Sequence, residues 1–510
     1  MEEIKKGVIE KALVLNGNTL TLEQLYDVAY EGRKVEIAAE AYERIKEGRE
    51  IMEDLSRQGK PIYGFNRGVG WNKDRGFDED FMAEYNEKLI RSHALGVEPY
   101  NNDTVVRAMM VIRLNNALIG ASCVSDELVK IYCDFLNHGI HPLIPMRGSV
   151  GEADITALSH MGLAFIGETD VRYKGKIVNS KEAMDKEEIM PYKMKLKDGH
   201  SIILSNAQGE SLTAILVKEL EELVKMSNLV FCLNYEGLNG NLESMREDVN
   251  AIRGIDGQIA CAAECRKYLE GSYLHSPHPG RSLQDPLTFR GGFSITGTVM
   301  DAMEFVKKYL KIQINSPSDN PCIMLDKKDA FVTSNFETTT LAVGVEMLSI
   351  AMGHMSKAIC YRMIKMADPA FTQLTRFLAP YDDSSLGYAT IQNTFTALDV
   401  ENRSLVNPSS VDFYHLEGMI EDHASNLPLV ANKSMQILDN LRYLVGIEAM
   451  YAAQAIDLRE EIVLGKYTKI AYDTIRETIP FLKEDRNMHI EIKKAYNLIK
   501  SKELLHRTGI

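Results

Sequence analysis

Residues 338–366, TTTLAVGVEMLSIAMGHMSKAICYRMIKM, constrain the fold more than any other part of the 510-residue chain. Their apolar side chains recur with a helical period and fall on more than one face, so the helix has no single side to give to water. A helix of that length extends about 40 Å, and it must be enclosed by other helices. The expected answer is a bundle with long central helices.

Other segments agree. SLTAILVKELEELVKMSNLV, residues 211–230, reads as a buried helix with a wetter Lys/Glu side, and a further long helix is expected over about 424–463. Near the start, Thr21 is placed to cap a helix carrying Leu25, Val28 and Ala29, and a second amphipathic run covers about 35–58. Period-two alternation is scarce, with a small hairpin expected at KGKIVNS, residues 174–180. The class is mainly α. No Gly/Ser- or Pro-rich linker breaks the chain, so one integrated body is expected: an N-terminal, loop-rich region over 1–205, then a helical bundle with C-terminal helices over 206–510.

Charge and cysteine usage exclude several classes. A net charge of -14, from 58 basic and 72 acidic residues, argues against nucleic-acid and anionic-membrane partners. No apolar run approaches the roughly 18 residues of a membrane span, and MEEIKKGVIEK at the N-terminus lacks the apolar core of a signal peptide. The seven cysteines are odd in number and scattered, without a Cys-x-x-Cys pair, as expected of reduced cytoplasmic thiols. Cys261 and Cys265 could share a helix face and are read as core packing rather than a metal site.

Chemistry belongs on loops held by a rigid frame. Four polar loops stand out: YGFNRGVG (63–70), PMRGSVGEADITALSH (145–160), HPGRSLQDPLTFRGG (278–292) and NSPSDNP (315–321). Read in order from Tyr63 to His423, a series emerges. Tyr63 opens the first loop, and Leu89-Ile90-Arg91-Ser92-His93 follows. Gly148-Ser149-Val150-Gly151, Asn206, and Gln284-Asp285-Pro286 leading to Arg290 come next. Ser318-Asp319-Asn320-Pro321, Asn335-Phe336 and Glu421-Asp422-His423 complete it.

This series resembles the aromatic amino acid ammonia-lyase family, and its histidine ammonia-lyases in particular. The resemblance implies a superhelical bundle of the ammonia-lyase/fumarase type, a small-molecule substrate, and a homotetramer whose active sites are shared between subunits. It also implies roles. Tyr63 matches the general base for the β-proton, and Arg290 the guanidinium that holds the substrate carboxylate. His93 and Glu421 match the pair that receives an imidazole ring, while Asn206, Gln284 and Phe336 match pocket positions. A phenol with a pKa near about 10 needs a nearby cation or helix terminus to act near neutrality, and Arg67 is a candidate. Bland readings stay open: Tyr63 packed in a turn, Arg67 a solvated cation, Arg290 in a structural ion pair, His93 a core histidine, Glu421 a helix cap.

Two departures bear on function. The family builds an electrophile, the methylidene-imidazolone MIO, by cyclising an internal Ala-Ser-Gly. This chain reads Gly151-Glu152-Ala153-Asp154 and contains no Ser-Gly dipeptide. Ser149 is followed by Val150, whose branched side chain should obstruct ring closure. No cofactor is therefore expected, and Glu152 and Asp154 are read as acids near a helix N-terminus. In the QDPLTFR segment, Leu287 stands where the family has a tyrosine beside the cofactor.

Without the electrophile an α-ammonium group leaves poorly. A quaternary trimethylammonium needs no such activation, and Leu287 suits a bulky methylated cation. The combination resembles the cofactor-free ergothionase branch of the family, which eliminates trimethylamine from ergothioneine to give thiolurocanate. Hercynine, the betaine without sulfur, is the nearest rival substrate. A lyase or aminomutase acting on free histidine, and an inactive binder of a histidine-like ligand, are the alternatives.

Overall fold

The computed structural model describes residues 11–77, 79–380, 385–459 and 462–510. The N-terminal stretch read above for a leader lies, up to residue 10, outside them. The chain forms a mainly helical bundle, as the periodicity requires. Among the described residues no helix is long and apolar enough to cross a membrane.

Two compact units are present, and the chain passes between them repeatedly. The first comprises residues up to 215 with 307–343 and 408–432; the second comprises 216–306, 344–407 and 433–510.

In the first unit the helix Leu22–Tyr30 starts with the reciprocal cap expected at Thr21, whose hydroxyl accepts from the Gln24 amide while Gln24 returns to the Thr21 backbone. Its buried Leu22, Leu25, Val28 and Ala29 lie on one face, and it packs against the helix Asp103–Ala117. That second helix is buried from Val105 to Ala117 and acts as the unit's axle. Arg113, 1% exposed, reaches both carboxylate oxygens of Asp319 at 3.2 and 3.0 Å. Asn115 Nδ2 donates to the Ile314 carbonyl at 2.8 Å. Removing either partner of such a buried pair would strand a charge.

The small strands all belong to this unit. Leu13–Leu15 pairs in parallel with Val35–Ile37, and the expected hairpin forms as Asp170–Tyr173 against Lys176–Asn179. Cys322–Met324 pairs with Asp329–Phe331. This last hairpin contributes Ile323 and Ala330 to an apolar cluster with Ile51, Met52, Ile62, Phe65 and Cys123. Ile62 and Phe65 flank Tyr63, so the first polar loop is nailed down by its apolar neighbours.

The second unit is built on long helices, as the 338–366 stretch demands. Thr339–Met366 and Leu427–Asp457 both continue into it, as does Ala207–Leu238. Glu448 on the second of these is fully buried and accepts from Arg362 Nε at 2.5 Å and from Asn234 Nδ2 at 2.9 Å. One carboxylate thereby cross-links three helices. Cys261 and Cys265 are buried in the helix Asp256–Tyr268.

Asp154 departs from the sequence expectation. It sits at the N-cap of Ile155–Phe165, yet makes no side-chain bond to that helix. Its Oδ2 instead accepts from the amides of Gln208 and Gly209, at 2.8 and 3.0 Å, in the first turn of Ala207–Leu238. Its Oδ1 accepts from Ser149 Oγ at 2.6 Å. Asp154 therefore caps a helix distant in sequence, a choice that periodicity cannot reveal. Burial pushes this carboxyl up to about 6, and the Ser149, Gly209 and Gln208 donors oppose that rise. Replacing Asp154 with Ala leaves two helix-terminal amides without an acceptor. It is expected to lower the unfolding free energy by about 3 kcal/mol, read from the first urea transition; a loss below about 0.5 kcal/mol would rule out the cap.

Candidate active site

A cavity of about 710 Å³ opens within the first unit. Its lining brings together Tyr63, Arg67, His93, Phe336 and Glu421, five positions singled out from sequence and dispersed over more than half the chain. It also includes Tyr85, Glu152, His200 and Glu417.

The Tyr63 loop is shaped by Asn66. Its Oδ1 accepts from the Ile62 amide at 2.8 Å, and its Nδ2 donates to Ser56 Oγ and the Lys60 carbonyl, each at 2.9 Å. Gly64 has φ +67°, and a Cβ there would lie 2.6 Å from His200 Nδ1, so only glycine fits. The loop then returns over the tyrosine, and the Gly70 amide donates to the Tyr63 phenol oxygen at 2.9 Å. Burial raises the Tyr85 phenol, and the preceding backbone amide, Val69, opposes that rise.

Electrostatics set the resting state of Tyr63. Burial pushes its phenol above the ordinary tyrosine range; the Gly70 amide opposes this, while Glu421, Tyr85 and Glu417 add to it. Arg67 was expected to lower it, but Arg67 is not among the groups that move Tyr63 most. Its Nη1 donates to the Asn66 carbonyl at 2.9 Å, so the guanidinium braces its own loop. In the free protein Tyr63 is a protonated phenol at neutral pH.

His93 ends the helix Glu79–His93, and its Nδ1 lies 2.9 Å from the Leu89 carbonyl. In the neutral ring this makes Nδ1 the donor and leaves Nε2 as an acceptor. Glu421 is half-buried, and burial followed by Glu417 raises its carboxyl. Asn206 is buried outside the lining and holds the pocket wall from behind, with Nδ2 donating to the Phe336 carbonyl at 2.5 Å. Glu337 accepts from the amide and hydroxyl of Thr339, at 2.8 and 2.6 Å, and pairs with His423 at 3.0 Å. It caps the helix Thr339–Met366.

Gln284, Leu287 and Arg290 lie in the second unit, not in the lining. Their segment is anchored by Asp285, which accepts from Tyr235 Oη at 2.7 Å and the Asn241 amide at 2.8 Å. Arg290 Nη1 donates to Gln284 Oε1 at 2.5 Å, and Leu287 is 70% exposed.

His200 and Tyr85 escaped the sequence reading. His200 is 4% exposed, meets the Tyr63 ring edge-on at 5.4 Å between centroids, and is held neutral by burial and by the charges of Lys197 and Arg113. Nothing in KDGHSII marks it. Tyr85 had a readable signal, since Phe77, Phe81 and Tyr85 recur every four residues and stack. Among the described residues no group of three or more His, Cys, Asp or Glu is placed to hold a metal ion.

The sequence profile of the aromatic amino acid lyases matches residues 20–477. The chain belongs to this family. As a family member it is a carbon–nitrogen lyase. It is 33% identical over 496 residues to a histidine ammonia-lyase of Treponema denticola, covering 97% of each chain. A histidine ammonia-lyase of Alkaliphilus oremlandii is 32% identical, over 97% of this chain and 98% of its own. Among solved structures, the ergothioneine-degrading enzyme ergothionase of Treponema denticola, in complex with desmethyl-ergothioneine sulfonic acid, is 58% identical. The TM-score is 0.96, with 97% of this chain and 100% of that one covered. A tyrosine aminomutase of Streptomyces globisporus follows the same path at 27% identity and TM-score 0.93, over 98% of each chain.

The raised Tyr63 phenol is directly measurable. In an ultraviolet difference titration of the free protein against Tyr63→Phe, the phenolate of this one residue should appear only above pH about 10, the ordinary tyrosine value. Ionisation below that value would contradict the electrostatics described above.

Proposed function

We propose that this protein eliminates trimethylamine from a histidine-derived betaine, ergothioneine first and hercynine next, without an electrophilic cofactor. The observation that carries the reading is the paired identity: 58% to an ergothionase against 33% to a histidine ammonia-lyase of the same organism. The cavity residues support it.

The segment 148–154 does not fit the family's electrophile. No Ser-Gly dipeptide exists to cyclise. The Ser149 hydroxyl donates to Asp154, and the Val150 carbonyl accepts from the Asn426 amide at 2.7 Å. A leaving group that needs no activation answers that deficit. A quaternary ammonium has no lone pair to add to an electrophile, and it departs as neutral trimethylamine once the β-proton is taken.

Tyr63 is the base in this reading. The free phenol is protonated, with Glu421 and Glu417 among its causes. A bound betaine brings a fixed positive charge that opposes those carboxylates and favours the phenolate. The β-proton passes to the phenolate oxygen, the C–H electrons form the alkene, and the C–N electrons leave with trimethylamine. Glu421 and His93 receive the ring, as in the histidine-type relatives that the sequence resembles.

Arg290, Gln284 and Leu287 enter the proposal through assembly. They are exposed or half-exposed in the single chain, and Arg290 is positioned by Gln284. The helix Thr339–Met366 also leaves Met347, Ile350, Tyr361 and Ile364 at least partly open. An apolar stripe on a central helix suits self-association. The protein is accordingly read as a homotetramer in which Arg290 of one subunit clamps the substrate carboxylate beside Tyr63 of another. Free histidine is the second substrate reading, favoured by the names of the curated relatives.

Purified protein incubated with ergothioneine, hercynine and histidine should release trimethylamine from the betaines and give the ultraviolet absorbance of an acrylate product. Turnover of histidine alone would sink the proposal, and inertness to all three would favour a binder. Tyr63→Phe should lower kcat by at least about 10²-fold. Co-assembling inactive Tyr63→Phe and Arg290→Ala chains should restore part of the activity; no recovery would mean that each site draws both residues from one chain.

A further inference from the structure

We propose that Glu152 is the anionic partner of the substrate's quaternary ammonium, and so the residue that makes the cavity select a permanently charged nitrogen. The inference rests on the betaine reading above and assigns the charged end of the substrate to a named carboxylate.

The loop that carries Glu152 is clamped on both sides. Gly151 has φ +74°, and a Cβ there would lie 2.7 Å from Ser425 Oγ and 2.9 Å from the Leu427 amide. Ser425 Oγ donates to the Gly151 carbonyl at 3.0 Å. Beyond Glu152, Ala153 is held at φ +50°, a strained value for a residue with a Cβ. Asp154 then turns inward to the amides of Gln208 and Gly209. The left-handed residue between them allows Glu152 to line the cavity while Asp154 is buried.

Among the described residues nothing satisfies Glu152 fully. Its Oε2 is buried and has no hydrogen-bond partner. The surrounding carboxylates make matters worse: burial, then Glu421, Glu337 and Asp422, push Glu152 up to about 7. An orphaned acceptor among like charges calls for a cation. The other acids are less suited. Glu337 is committed to Thr339 and His423, and Asp422 is exposed and outside the lining. Glu417 lies against Gly70 at the tyrosine loop, and Glu421 is taken by the ring in the reading above.

The chemistry of the ligand matches. A trimethylammonium group has no N–H to donate, so it needs charge at contact distance rather than a directed hydrogen-bond acceptor. A carboxylate supplies that charge. It stabilises the bound cation and a transition state in which the nitrogen still keeps most of its charge to about the same degree. Its removal should therefore appear in KM and not in kcat.

The test is Glu152→Gln, nearly the same shape without the charge, in the assembled enzyme. For ergothioneine, KM should rise at least about tenfold, with kcat changed less than about threefold. Inhibition by tetramethylammonium, the bare cation, should weaken in parallel. Inhibition by thiolurocanate, which keeps ring and carboxylate but lacks the cation, should be unchanged, and this also shows the variant site to be folded. Equal weakening of all three ligands, or of none, would overturn the assignment. If the wild-type protein turns over neither betaine, the lyase reading falls, and tetramethylammonium binding to the two proteins alone decides Glu152.

Discussion

The site depends on one buried carboxylate. Asp154 gathers the Gln208 and Gly209 amides and the Ser149 hydroxyl, so the start of a long helix and a strained loop become one object. Helix-terminal amides buried without an acceptor are costly, which makes the geometry of the loop a consequence of capping. Glu152 is carried along with it. The left-handed Ala153 separates an acid that serves the fold from one that lines the cavity.

A second constraint is the burial of acids in the cavity. Glu152 and Glu421 are half-buried with raised carboxyls, and Tyr63 is held as a phenol by burial and nearby acids. Each shift has burial as its first cause and neighbouring carboxylates after it. A ligand that brought a positive charge would favour the ionised forms of all three groups. Binding and base activation are then a single electrostatic event in the proposed reaction, with no separate group needed to lower the Tyr63 phenol.

How legible this was differs from residue to residue. The Thr21 cap, the hairpin at 170–179 and the long helices follow from local spacing, because period and capping are properties of neighbouring residues. Tyr63, His93, Phe336 and Glu421 were identified by the order of their motifs, and the cavity collects them. Three features were not readable. Asp154 caps a helix starting over fifty residues away, Arg67 braces the Asn66 carbonyl, and His200 packs on Tyr63 without any pattern in its own segment. The Asp154 and His200 contacts join segments remote in sequence, where no period operates, and the Arg67 contact is set by the path of its own loop.

The sequence by itself determined the class and which dipeptides the chain contains. An apolar stretch too long and too many-sided for a surface requires a bundle, and a chain without Ser-Gly has no serine–glycine pair to cyclise. Tertiary structure alone decided the ionisation of the groups that remain. A carboxyl or phenol has its ordinary affinity for protons until burial strips its water and other segments bring charges beside it. Glu152, Glu421 and Tyr63 come from three distant parts of the chain, and only folding places them in one cavity.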